Sequence, residues 1–250
     1  MTMLIGIVAT LLALMAGAAY LRHQNVRAVS RAQRLALSIE KLRVGISDYR
    51  AAQTIAADFG TVPYETCFGA RDCRDGYFES CAYMIPANDA GSHHWVSTHP
   101  FLRRLGMRDW GGTALIFIEN GLVSEHSFRI TYRSRNGAWR GFGAVEDKSI
   151  PTNRAVQAVV SDAYSIQRND VIVGLEPRDL GFALESSLTP ASTPDERRRA
   201  WHFESGCLAE RVGCGEICEV MPDAWHDFYK VRGHFDVEKY GTAYLFCTKQ

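Results

Sequence analysis

Seven cysteines and eight histidines are the residues of this chain with the widest chemical range, and their spacing narrows what they can do. Cys67, Cys73 and Cys81 fall within fifteen residues, Cys207, Cys214 and Cys218 within twelve, and Cys247 stands near the end. Both groups lie in stretches rich in Gly, Asp and Arg, such as Phe68-Gly69-Ala70-Arg71-Asp72 and Arg211 to Gly215. Local disulfide staples and a tie to a terminal strand fit this usage, which belongs to an oxidising compartment. The expectation is three disulfides and one odd thiol, with the connectivity open. Zinc is the competing chemistry, because His202, Cys207, Cys214, Cys218, His226 and His234 carry suitable donor atoms. No CxxC pair occurs, and gaps of six and three residues match no common finger, so neither a metal site nor a cofactor is assigned. His93, His94 and His99, with Asp89 close by, lie in a loop that would have to fold back to hold a metal. A solvated or structural role is the simpler reading.

Thiol catalysis needs only a thiolate, a neighbouring base and an electropositive setting. So many Cys–His combinations satisfy that description that none is singled out. The chain has no GxSxG elbow, no GxxxxGK[ST] phosphate loop, no GxGxxG after a strand, no HExxH and no CxxCH. No catalytic residue is therefore assigned. The ending Cys247-Thr248-Lys249-Gln250 has a cysteine where a prenylation signal has one, but lacks the aliphatic residues between.

Whatever positions these residues begins at the N-terminus. Met3 to Leu21 is an uncharged apolar run whose only hydrophilic side chains are Thr10 and Tyr20. As a helix it would measure roughly 28 Å at 1.5 Å per residue, the thickness of a bilayer core, with its backbone polar groups satisfied internally. A lipid bilayer is thus the expected partner of residues 3–21. Ala16-Gly17-Ala18 also offers a signal-peptidase site, but no Lys or Arg precedes the run, which is longer than a usual signal core. An uncleaved anchor over residues 1–24 is the preferred reading.

Ala28, Ala32, Leu35, Ile39, Leu42, Ile46 and Tyr49 then recur in alternating steps of four and three, one stripe of a helix. This predicts a juxtamembrane amphipathic helix over 25–59, ended by Gly60 and Pro63. The stripe must be covered, either by the chain's own domain or by a second copy in a parallel homodimer through residues 28–49. Orientation signals conflict. Lys and Arg flank the run only on its C-terminal side, which favours a cytoplasmic domain, whereas the cysteine usage favours an extracytoplasmic one.

Residues 60–250 have the length and apolar content of one domain. Lys plus Arg and Asp plus Glu are 28 each, so no net field draws in nucleic acid, and none is expected as a partner. The run Arg197-Arg198-Arg199 follows a capped helix start, Thr193-Pro194-Asp195-Glu196, and reads as a solvated helix face. Ala114 to Ile118, Phe128 to Tyr132 and Trp139 to Val145 are separated by Asn120-Gly121 and Asn136-Gly137, which predicts a three-stranded antiparallel meander. A helix after Pro151-Thr152, a short strand at Val171–Val173, a loop over 187–194 and a terminal strand at Tyr244–Cys247 complete the reading. The fold class is α+β, a mainly antiparallel sheet with one or two packed helices. Trp201, Trp225 and Tyr229 lie near the C-terminal cysteines and fit either a binding surface or the core.

An apolar helix running into an amphipathic one, followed by a loop, a meander and C-terminal cysteines, is similar in layout to type IV pilins and pseudopilins. That resemblance implies an assembly subunit. Gly6-Ile7 stands where those proteins are processed, but Leu11 occupies the position at which they usually carry Glu, and no basic residue precedes it. The leading functional reading is an anchored, cysteine-stapled extracytoplasmic binding or structural module of unknown ligand. A tethered cytoplasmic domain with free thiols, acting as a metal or cysteine enzyme, is the alternative from another class, and a pilin-like subunit is the second.

Overall fold

The computed structural model describes residues 2–62, 71–73, 79–88, 109–135, 137–149, 164–168, 171–178, 181–210 and 212–232. Helix α1, Thr2–Glu40, is one unbroken element. It is followed by α2, Tyr49–Phe59. The expected continuous helix over 25–59 is therefore interrupted at residues 41–48. Gly45 turns the chain at φ 75°, and the Asp48 side chain accepts from the Ala51 N–H at 3.0 Å, starting α2 afresh. Helix α2 ends at Gly60 (φ 72°), as its sequence implies.

The strands are β1 Arg71–Asp72, β2 Ser80–Pro86, β3 Trp110–Glu119, β4 Leu122–Arg133, β5 Trp139–Asp147, β6 Tyr164–Arg168, β7 Val171–Arg178 and β8 Gly181–Leu188. They form one sheet in the order β1-β2-β3-β4-β5-β8-β7-β6. Pairing is antiparallel except β1 with β2 and β5 with β8. The meander β3–β4–β5 is as expected from sequence, and Asn120 and Gly121 take the positive φ angles, 52° and 78°, of a tight hairpin. Among the described residues three short helices follow: α3 Pro194–Ala200, α4 Ile217–Val220 and α5 Pro222–Arg232, with a 3₁₀ turn at Ser205–Ala209. The fold is α+β.

Register explains the core. Tyr83, Ile116, His126, Glu146 and Leu188 are aligned across β2, β3, β4, β5 and β8. Ile85, Ala114, Phe128, Ala144 and Ser186 form the next row. Cross-strand partners share a face, and all ten are buried. Helix α1 lays Val29, Ala32, Leu35, Ala36 and Ile39 into the same cluster, and α2 adds Ala52 and Ala56. Ala32, Leu35, Ile39 and Leu42 of the stripe read from sequence are thus covered by the chain's own domain.

Both ends of this packing are pinned by polar contacts. At the lower end Asn25, 8% exposed, accepts from Trp110 Nε1 at 3.0 Å and donates to the Leu208 carbonyl at 2.8 Å. At the upper end the Gly45 N–H donates to Val123 O at 2.8 Å and the Tyr49 N–H to Gly121 O at 2.9 Å. The second half of α1 therefore packs alongside β3.

Candidate functional site

Three features have the composition of a functional element: a buried polar cluster, the cysteine staples, and the exposed half of α1. The buried cluster centres on Glu146 of β5. Its carboxylate meets the Arg197 guanidinium of α3, lies 3.2 Å from His126 Nε2 of β4, and accepts from the Val44 N–H at 3.3 Å. Arg197 is fully engaged, donating also to Ser192 O at 3.1 Å, Thr189 O at 3.2 Å and Pro190 O at 3.3 Å. Burial pushes the Glu146 carboxyl up, but the hydrogen bonds from His126 and Arg197 outweigh it and hold the group below its ordinary value. His126 packs against the Trp201 ring, centroids 5.5 Å apart. Glu146 and His126 have no exposed surface, so no solute reaches them, and the cluster ties β4, β5, the 41–48 turn and α3 together. This corrects the reading of Arg197-Arg198-Arg199 as a solvated face. Arg197 is 5% exposed, while Arg198 pairs with Asp195 at the surface and Arg199 with Asp227 of α5. The capping box predicted at Thr193 is present, with both Thr193 and Glu196 engaged.

A second buried pair, Arg140 Nε to Glu216 Oε2 at 2.6 Å and Nη2 to Oε1 at 3.3 Å, fastens β5 to the segment before α4. Sequence reading identified neither pair. Arg140 and Glu146 stand at either end of a run of small and apolar residues in β5, where a strand pattern gives no sign of which charges turn inward.

Cys73 bonds Cys81 and Cys207 bonds Cys214. The first joins the end of β1 to β2. The second closes the segment from the 3₁₀ turn to Cys214, whose carbonyl accepts from the Arg135 N–H at 2.9 Å. Cys218 is also disulfide-bonded. Cys67 and Cys247 lie outside the described residues, as do His93, His94, His99, His234, the helix expected after Pro151 and the strand expected at Tyr244–Cys247. Among the described residues no group of three His, Cys, Asp or Glu side chains is placed to hold a metal.

Trp201 and Trp225 do not form an exposed recognition surface. They are 5% and 7% exposed and belong to the core, where large aromatic rings contribute most by burial. The side chain of Tyr229 is outside the described set.

The exposed half of α1 is different in kind. Its most apolar eighteen-residue window is wholly unburied by the domain. Leu4, Ile5, Leu11, Leu12 and Met15 are each more than half exposed. A contiguous apolar patch of this size is not left to water, and the helix is long and apolar enough to cross a bilayer. Beside its next turns runs a cleft of about 590 Å³ lined by Gln24, Val26, Arg27, Arg31, Arg34 and Asn88, among others. Comparisons of the chain with protein-family models, with curated proteins and with solved structures gave no match.

Proposed function

We propose that the protein is a single-pass, membrane-anchored structural module whose disulfide-stapled α+β domain is held outside the cytoplasm at a fixed height and orientation. The observation that carries this reading is the unbroken helix α1. Its first half is bare apolar surface, and its second half is an integral part of the core. No flexible linker separates the two, so the domain cannot tumble relative to the bilayer. That is the property of a positioned scaffold, and a tethered enzyme has no need of it. Disulfides at Cys73–Cys81 and Cys207–Cys214 support the extracytoplasmic side. They also argue against the thiol enzyme, because paired sulfurs cannot serve as resting nucleophiles or zinc ligands.

The same helix favours a second reading, the pilin-like assembly subunit, in which the bare half of α1 packs against copies of itself when it leaves the bilayer. A photo-crosslinking residue at Leu12, 61% exposed, separates the two in membranes from expressing cells. Adducts to lipid alone indicate a free-standing anchored module. A ladder of protein multimers indicates assembly, and adducts to neither overturn the membrane-embedded helix common to both.

A further inference from the structure

We propose that the arginine-lined cleft beside α1 binds the phosphate of an anionic lipid headgroup, with Arg27 as its principal contact. The inference rests on the membrane-anchored reading above. Three observations lead to it. The first is height. The domain packs on α1 from buried Asn25 onwards, just beyond half-buried Leu21, so on the anchored reading no stalk separates it from the bilayer and its lower rim lies at the lipid–water boundary. Arg27 stands about 9 Å beyond Leu21 along the helix axis at 1.5 Å per residue, just above a headgroup layer roughly 5–8 Å thick. Helical side chains tilt towards the N-terminus, which here is towards the bilayer.

The second observation is charge. Arginines 129, 135, 140, 197, 198 and 199 each meet a carboxylate. Among the described residues the cleft is lined by Arg27, Arg31 and Arg34 and by no Asp or Glu. Arg31 is spent on the fold, donating to the carbonyls of Phe59 and Pro86, with its guanidinium over the Phe59 ring. Among the described residues Arg27 has no carboxylate partner, and its guanidinium is available to a ligand that carries the missing negative charge. The third is the mixed character of the lining. Val26, 42% exposed, adjoins Arg27 at the same level, which suits a ligand that is anionic above and apolar below.

Arg34 distinguishes a lipid from a soluble anion. It lines the same cleft but lies about 20 Å beyond Leu21, out of reach of a headgroup and open to a dissolved phosphate. Arg22 provides the second control. It is exposed at the membrane surface but outside the cleft lining, so it reports the general attraction of any basic residue for an anionic surface.

The test uses the full chain reconstituted in vesicles of equal parts phosphatidylcholine and phosphatidylglycerol, washed with alkaline carbonate, then analysed by native mass spectrometry for retained lipid. Wild type should retain phosphatidylglycerol in preference to phosphatidylcholine. Arg27→Gln should cut that preference about five-fold, the effect of one basic residue beside an anionic surface, while Arg34→Gln and Arg22→Gln leave it within two-fold. An unchanged preference in Arg27→Gln, or an equal loss in Arg22→Gln, overturns the site and leaves the anchor standing. Equal loss in Arg34→Gln, with displacement by millimolar inorganic phosphate, overturns the lipid in favour of a soluble anion. Release of wild type by carbonate overturns the anchored reading and this inference with it.

Discussion

Replacing Arg197 with methionine removes one charge from the most enclosed polar cluster of the described structure. The side chains are similar in volume, so little of the effect comes from a cavity. What remains is the Glu146 carboxylate, with no exposed surface, left with His126 and one backbone N–H as partners. Removing one partner of a buried ion pair costs about 3–5 kcal/mol, a large share of the roughly 5–15 kcal/mol that holds a domain together. The exposed pair Arg198–Asp195 sets the contrast, and Arg198→Met should cost no more than about 1 kcal/mol. Urea unfolding in detergent with disulfides intact measures both, and Trp201 against His126 supplies a local fluorescent reporter. The pH dependence gives a signed check. In the wild type the native Glu146 value lies below the ordinary 4.5, so its contribution is complete above 4.5 and lost as pH falls through the native value. In Arg197→Met one of the two hydrogen bonds that hold the carboxyl down is gone, so burial weighs more heavily and the native Glu146 value rises. The stability that Glu146 loses on acidification below 4.5 should therefore be smaller in the variant than in the wild type. A loss under about 1 kcal/mol at neutral pH, or a variant that loses as much stability with acid as the wild type, refutes the reasoning.

Three further perturbations follow from the packing. Gly143→Ala would bring a Cβ within 2.6 Å of Phe128 O and 2.8 Å of Arg129 Cγ, where Arg129 crosses β5 to reach Glu185. A loss of roughly 1–3 kcal/mol in urea unfolding is expected, and a neutral effect would contradict the close approach. Trp225→Ala should cost about 3–5 kcal/mol and appear as a folding defect in circular dichroism; a stable, folded variant would return Trp225 to the surface. Replacing Cys207 and Cys214 together by serine opens a short loop and should cost about 2–3 kcal/mol, read as a lower thermal midpoint of the non-reduced protein.

The sequence was most legible where a single local signal decides the structure. Asn120-Gly121 specifies its hairpin, Thr193 through Glu196 specifies a capped helix start, and the four-three stripe from Ala28 to Ile39 specifies the buried face of α1. It was least legible where burial is decided by partners far along the chain. Arg197 looks like any surface arginine until β5 delivers Glu146 to it across fifty-one residues. The break at residues 41–48 was hidden because Ile46 and Tyr49 keep the helical spacing through it. Ile46 is 77% exposed, so its place in the stripe was coincidental, and Asp48 as an N-cap was the available signal. Strand β2 was missed because Ser80 to Pro86 follows a cysteine-rich loop and ends in proline, an edge-like pattern that becomes a strand by pairing with β3. The cleft beside α1 is written in the sequence only as Gln24, Arg27, Arg31 and Arg34, a polar stripe of the kind that exposed helices commonly carry.

Thiol trapping in acid-quenched cells asks most directly whether α1 holds a disulfide-stapled domain outside the cytoplasm. Membranes are collected after quenching, free thiols are blocked under denaturing conditions, disulfides are reduced, and the released thiols are counted by the gel shift from a polyethylene-glycol maleimide. The account predicts a carbonate-resistant chain that gains at least four maleimides, all after reduction, from the bonds Cys73–Cys81 and Cys207–Cys214. A chain whose cysteines are all blocked before reduction would contradict it, placing reduced thiols in the cytoplasm and making the arginines after Leu21 the correct indicator of orientation.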